Sequence, residues 1–294
     1  MRTNWKCILV LAAFVASACG VSSQDEDPGV ARSEIINGQV DQGQYPQVGT
    51  FVRPAPLVAG GPLMSRCTGT LIAEDVFLTA AHCLQTVFDA GLGYGDYGVS
   101  FDAVYVPGVS KVIFGHGYVH PGFSWDTFLN DVSMVVLDEP VAGFKPKKLA
   151  RPNLLEKMSS EDLAEEEIIT VGYGFDAFPE MTGRGTRRVA VQHFLSLCTF
   201  DFSLGECVQD GGHPYYNWAE LGGPLEDGNG TVCNGDSGGP HFLDGRIVSI
   251  TSLGSDCGES GFGLEWSQRV DIKPVRQFIM SFLDDECSEG RSRH

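Results

Sequence analysis

Three short segments carry residue types suited to nucleophilic chemistry. In Leu78-Thr79-Ala80-Ala81-His82-Cys83 an apolar strand end runs into small residues and then a histidine. A histidine there emerges at the rim of a core, where it can take up and release a proton near neutrality. In Asn130-Asp131-Val132-Ser133-Met134-Val135-Val136-Leu137 a carboxylate immediately precedes a continuous apolar run. Such an aspartate is drawn towards the interior and needs hydrogen-bonding partners to keep its charge there. In Gly235-Asp236-Ser237-Gly238-Gly239-Pro240 a serine sits among glycines, so backbone N–H groups can point at a substrate oxygen with no side chains in the way. Each segment alone has a plainer reading: a structural histidine, a strand-capping aspartate and a glycine-rich turn. Those readings do not explain why all three occur together.

The elements that must position these residues are mostly strands. Apolar stretches bounded by turn signals recur at Gln47–Val52, Thr68–Ile72, Val76–Thr79, Val109–Phe114, Ser133–Leu137, Ile168–Gly172, Arg188–Phe194, Gly239–Phe242 and Arg246–Leu253. This spacing predicts an all-β sandwich or barrel and does not fit alternating strand and helix units. One helix is expected near the end, with Asp271 as cap, Pro274 early, and Ile272, Val275, Phe278, Ile279 and Phe282 at helical spacing. The Gly- and Pro-rich stretches Arg53–Ser65, Ala90–Gly98 and Gly211–Gly230 read as loops.

Composition narrows the setting. The 294 residues are 43% hydrophobic and 20% charged, which is globular rather than disordered. The formal charge of −18 argues against nucleic acid, since phosphate binding needs clustered Lys and Arg. The one local basic cluster, Arg184, Arg187 and Arg188, reads as a solvated loop. Arg2 and Lys6 followed by an apolar run ending in Ala16-Ser17-Ala18 have the layout of a secretory signal peptide over residues 1–18. The polar, acidic stretch 19–34 then reads as a propeptide or linker, and the body spans 35–294. A secreted protein is expected. Cys19 leaves open a lipid anchor at the cell surface. Nine cysteines in an exported chain imply disulfides. No metal site is expected, because the histidines are scattered and His82 and Cys83 are adjacent rather than at ligand spacing.

With its three segments in the order His, Asp, Ser, the chain resembles the trypsin and chymotrypsin family of serine proteases from Ile35 to about Leu283. The resemblance implies two six-stranded antiparallel Greek-key barrels packed together, with a C-terminal α-helix. It implies a secreted serine endopeptidase with His82, Asp131 and Ser237 as catalytic triad, an oxyanion hole from the N–H groups of Gly235 and Ser237, no cofactor, and protein or peptide substrates. It also implies maturation by an activating protease: Ile35-Ile36-Asn37-Gly38 matches the family's new N-terminus, whose ammonium would pair with Asp236. Residue 34 is Glu rather than Arg or Lys, so activation by a protease other than trypsin is expected.

The same resemblance pairs Cys67 with Cys83, Cys198 with Cys207 and Cys233 with Cys257. It leaves Cys287 as a free thiol, a partner of Cys19 or a bridge to another chain. It puts Thr231 at the floor of the specificity pocket, where Lys/Arg-specific members carry aspartate, with Ser252 near the triad aspartate and Gly254 at an open pocket mouth. A neutral or apolar preference follows, unless Glu265 points inward and restores a basic one. The competing reading is a catalytically silent homologue that acts as a binding or regulatory protein.

Overall fold

A computed structural model describes residues 35–177, 179–201, 206–208, 216–254 and 256–283. The signal segment 1–18, the linker 19–34 with Cys19 and Glu34, and Cys287 lie outside the described residues.

After a two-residue strand β1 (Gln39–Val40), six strands form the first barrel: β2 (Val48–Pro54), β3 (Leu63–Ala73), β4 (Val76–Thr79), β5 (Gly98–Ser100), β6 (Ile113–Val119) and β7 (Ser133–Leu137). They close in the order β2-β3-β4-β7-β6-β5, all antiparallel. Alternate residues of these strands turn Phe51, Leu71, Phe77, Val99 and Val135 inward to a common core. Helix α1 (Ala81–Asp89) covers one end and adds Leu84 and Val87 to that core.

Two short helices, α2 (Leu154–Lys157) and α3 (Ser160–Glu165), lead to the second barrel. Its strands are β8 (Glu167–Gly172), β9 (Arg188–Asp201), β10 (Glu206–Val208), β11 (Trp218–Pro224), β12 (Pro240–Leu243), β13 (Arg246–Gly254) and β14 (Phe262–Arg269). The ring runs β9-β11-β14-β13-β12-β8 and closes by pairing of β8 with β9; β1 and β10 add to β9. Helix α4 (Lys273–Met280) follows and packs Val275 and Ile279 into a shared apolar cluster. That cluster includes Val48, Leu78 and Met134 of the first barrel and Val171, Phe242 and Ile250 of the second, so the seam between barrels is itself a core. Among the described residues no helix is long and apolar enough to cross a membrane.

Several local expectations change. The expected strand Val109–Phe114 is displaced to β6, and Val109 is 80% exposed. β6 is interrupted by Gly115, His116 and Gly117; at Gly117 it approaches Tyr97 closely, with its N–H donating to the Tyr97 hydroxyl at 2.8 Å and a Cβ position 2.7 Å from that oxygen. The stretch Gly211–Gly230, read as a loop, contains barrel strand β11. Its Gly222 is a site of close strand approach rather than a turn, since a Cβ there would lie 2.0 Å from the Gly263 carbonyl oxygen on β14. Arg53 and Leu63–Ser65 likewise belong to β2 and β3. Asp271 does not cap α4: its carboxylate accepts from the Leu155 N–H at 3.1 Å and pairs with the fully buried guanidinium of Arg269.

Arg187 and Arg188 are buried, not solvated. Arg188 Nη2 pairs with Asp176 Oδ2 at 2.8 Å. Arg187 Nε donates to Asp41 Oδ2 at 2.7 Å, and its Nη1 reaches the carbonyls of Val48 and Phe101 and the Tyr173 hydroxyl at 3.0–3.1 Å. One guanidinium thus ties first-barrel backbone to the chain entering the second barrel. Removing one partner of such a pair strands the other charge in the interior. Arg187→Met is expected to cost about 3–5 kcal/mol, lowering the calorimetric Tm by roughly 2–4 °C per kcal/mol. Adding Asp41→Asn to the same chain is expected to recover part of that loss, because the stranded charge is then gone.

Candidate active site

His82 is the second residue of α1, where the chain leaves β4 through Ala80 at the barrel rim. Its side chain is 17% exposed, and its Nδ1 lies 2.7 Å from Asp131 Oδ2. The backbone N–H of the same histidine donates to Asp131 Oδ1 at 2.8 Å. This N–H is one of the helix's unsatisfied first-turn donors, so the carboxylate serves as acceptor for both ring and helix end. Asp131 itself is fully buried just ahead of β7. Its Oδ2 also accepts from the Ser252 hydroxyl on β13, and its own N–H donates to Gln268 Oε1 on β14 at 3.0 Å. With Nδ1–H committed to Asp131, the Nε2 of a neutral His82 is left as the acceptor.

Ser237 lies half-buried on the turn between Cys233 and β12. The turn is pinned to the first barrel: the Thr68 N–H donates to the Ser237 carbonyl at 2.8 Å, and the Thr68 hydroxyl donates to the Gly235 carbonyl at 2.9 Å. Gly238 sits so close to the end of β4 that a Cβ would lie 2.6 Å from Ala80 N, two residues before His82. The carbonyl of Asn234 is held by the Phe175 N–H at 3.2 Å and Arg184 Nη2 at 3.0 Å, and that of Asp236 by the Gly239 N–H at 2.7 Å. In a trans peptide the N–H opposes the C=O, so these bonds aim the N–H groups of Gly235 and Ser237 away from the bonded carbonyls. Gly235 has φ 112° and lies against Gly174, where a Cβ would meet Cα at 2.8 Å; a side chain is excluded on both counts.

Asp236 is fully buried. Its carboxylate accepts from the N–H groups of Gly174 at 2.7 Å and Cys233 at 2.9 Å. Burial pushes its pKa up to about 6, opposed by these two bonds, with Glu265 raising it further and Arg188 lowering it. Ile35 is buried as well, but in the continuous chain its nitrogen is an amide and carries no charge.

Of the expected pocket residues, Thr231 and Ser252 are buried and Gly254 is exposed. Thr231 is 1% exposed, bridges to Ile36, and lies beneath Gly263, where a Cβ would meet its own Cβ at 2.7 Å. Gly254 faces Val232, with a Cβ position 3.1 Å from its Cγ2. Glu265 is fully buried, and its carboxylate faces the Nε2 of His241, itself fully buried and 3.5 Å from the Thr251 hydroxyl. Disulfides join Cys67–Cys83, Cys198–Cys207 and Cys233–Cys257. The first lies within 4.8 Å of a ring nitrogen of His82; its sulfurs, bonded to each other, are not thiolate donors for a metal.

Gln268, His241, Gly172 and Gly174 escaped the sequence reading, and Glu265 and Arg184 were named there in other roles. Gln268 and the His241–Glu265 pair sit in strands whose polar residues turn inward, where a solvent-facing role is the ordinary inference. Gly172 and Gly174 leave room for Asp236: a Cβ at either would lie 2.0–2.3 Å from its carboxylate oxygens. Their i, i+2 spacing around Tyr173 was the available signal. Arg184, its guanidinium 3.8 Å from the centre of the Phe175 ring, abuts the turn at Gly235 with Nε 3.2 Å from the Cβ position.

The family described as Trypsin matches residues 43–272. Serine protease 56 of Mus musculus is 29% identical over 257 residues, 83% of this chain, which spans 38% of that protein. A trypsin of Sarcophaga bullata is 25% identical, with 72% of this chain and 77% of that protein covered. Kallikrein-4 of Homo sapiens is 26% identical, covering 78% and 80%. The solved structure of a protein designated GrC superposes with a TM-score of 0.61 at 19% identity, over 85% of this chain and 99% of that one, which is a likeness of fold. On the family match across most of its length, the chain belongs to the trypsin family of serine proteases.

Proposed function

We propose that the protein is a secreted serine endopeptidase acting through Ser237, His82 and Asp131. The observation that carries this reading is the 2.7 Å hydrogen bond from His82 to a fully buried carboxylate, at a barrel rim to which the Ser237 turn is bonded. Ser237 Oγ adds to the scissile carbonyl while His82 Nε2 takes its proton. Asp131 holds the ring orientation and stabilises the imidazolium. The oxyanion is received by the N–H groups of Gly235 and Ser237, each such donor contributing about 3 kcal/mol. Collapse of the intermediate breaks the C–N bond, and His82 passes its proton to the departing amine. Water, deprotonated by the same histidine, then hydrolyses the acyl-enzyme.

The pocket supports a neutral or apolar residue before the scissile bond. Thr231 offers no charge, and the nearby carboxylate of Glu265 is turned to His241. Activation is read from Asp236. In the uncut chain its charge is buried with only backbone donors in direct contact among the described residues, and a cut after Glu34 would supply a cation as the Ile35 ammonium. The N-terminal segment 1–18 supports export.

The cut form, with its N-terminus at Ile35, is expected to react with a fluorophosphonate probe, and Ser237→Ala to abolish both labelling and peptide hydrolysis. No labelling of the correctly cut protein would overturn the reading and favour a silent homologue. Asp131→Asn is expected to lower kcat by about 10⁴-fold, because the ring then loses its tautomer. A peptide panel should rank Phe or Leu above Arg, and the precursor treated with trypsin should remain inactive.

The uncut precursor carries a pH signature. Asp236 is protonated in both folded and unfolded chains below its ordinary value of 3.8. Between 3.8 and about 6 the folded chain retains a proton the unfolded chain has lost, so stability falls as pH rises through that window. Asp236→Asn is therefore expected to stabilise the precursor at pH 7 by about 1–3 kcal/mol, read by thermal unfolding, with no gain near pH 3.5 and no activity after cutting.

A further inference from the structure

In a chain with 38 acidic residues and 20 basic ones, Arg184 abuts the nucleophile turn, and it and two further arginines, Arg53 and Arg66, have no acidic partner among the described residues. Among the described residues, Arg53, Arg66 and Arg184 form no salt bridge, and the Nε of each is buried without a hydrogen-bond partner. They are mutual neighbours: burial lowers the pKa of Arg53 and so does Arg66, while Arg184 is pulled down to about 10 by burial and by Arg66 and Arg53, against the pull of Asp236. Like charges held together out of contact with carboxylates cost free energy, and a bound anion removes that cost.

Their placement has a local cause. In the β2–β3 ladder Phe51 pairs with Cys67 but Val52 pairs with Ser65, so Arg66 is the extra residue of a bulge. A bulge re-aims its side chain and interrupts the pairing beside it. Arg66 directly precedes Cys67, whose disulfide partner Cys83 follows His82. Arg53 lies on β2 one residue past the bulge, and Arg184 comes from the segment between β8 and β9 that lies against Asn234 and Gly235.

The turn that carries Ser237 therefore has two flanks. At Val232 it meets the pocket wall through Gly254; at Asn234 and Gly235 it meets Arg184. A peptide crossing the nucleophile once, with its acyl half in the pocket, must carry its leaving half over the opposite flank. We propose that Arg53, Arg66 and Arg184 form a leaving-group subsite that selects peptide substrates with Asp or Glu in the first or second position after the scissile bond. The proposal rests on the endopeptidase reading above and adds the substrate class. Guanidiniums suit this role because they remain charged and bind carboxylates through two parallel N–H donors. The rest of the strongly acidic surface repels the same substrates at long range, so the subsite confines the acid to one register.

The test uses the cut protein with two quenched peptides that share an acyl half and carry Asp-Asp or Lys-Lys in the first two positions after the bond. A nitrophenyl ester of the same acyl half, which has no peptide on the leaving side, reports the catalytic centre separately. The Asp-Asp peptide is expected to exceed the Lys-Lys peptide in kcat/KM by about ten-fold or more at low salt. The ratio should shrink as salt rises from about 20 to 500 mM, where screening is strong. Arg66→Glu and, separately, Arg53→Glu should lower or invert it. The ratio is taken within one preparation, so a loss of folded protein cancels. Ester hydrolysis with a ratio near one or favouring lysine would overturn the subsite alone. Absence of hydrolysis of ester and peptides, together with absence of probe labelling, would overturn the endopeptidase reading and the subsite with it.

Discussion

A single buried carboxylate holds the two barrels in register at the site. Asp131 has no access to water, and the penalty for burying a charge is several kcal/mol unless its lone pairs are filled. They are filled from both sides of the seam: by the ring and backbone N–H of His82 in the first barrel, and by the Ser252 hydroxyl in the second. Its backbone N–H crosses the same seam to Gln268. Sliding one barrel against the other would strip these bonds from a charge that cannot reach solvent. The position of His82 relative to the second barrel is therefore set by electrostatics as much as by the apolar cluster beneath it.

Asp236 stands in the opposite situation. It is as deeply buried as Asp131 but accepts from two backbone N–H groups, with no imidazole or hydroxyl joining them among the described residues, and burial raises its pKa. Two fully buried aspartates thus have different surroundings. One is supplied with all its partners by the folded chain. The other is held in a space kept open by Gly172 and Gly174, in a condition that a nearby cation would relieve. The Arg187–Asp41 pair, with Tyr173 between the barrels, braces the segment from which Gly174 reaches that carboxylate.

Legibility differed by element for identifiable reasons. Val76–Thr79 and Ser133–Leu137 were readable at their true bounds because both are continuous apolar runs with sharp polar ends. β11 was hidden because its glycines, which allow β14 to approach, look like turn residues when no partner strand is known. β14 was hidden by its polar side chains: Glu265, Ser267, Gln268 and Arg269 are all buried, each answered by a group distant in sequence. Asp271 looked like a helix cap for the same reason, its true partners Arg269 and Leu155 lying outside the local pattern. Arg187 and Arg188 looked solvated because a charged run carries no sign of the aspartates, Asp41 and Asp176, that accompany it inside.

By itself the sequence determined the fold class and the family, and it named candidate residues for the site. Those depend on residue type and order: strand-forming runs, a serine among glycines, a histidine and an aspartate at apolar boundaries. Only the tertiary structure decided which polar groups meet. It brought His82, Asp131, Ser252 and Gln268 together across 186 positions of chain, turned Glu265 to His241, and left Arg53, Arg66 and Arg184 without acidic partners among the described residues. The physical reason is that a buried polar group is defined by its partners, and partners across a barrel seam leave no trace in local periodicity.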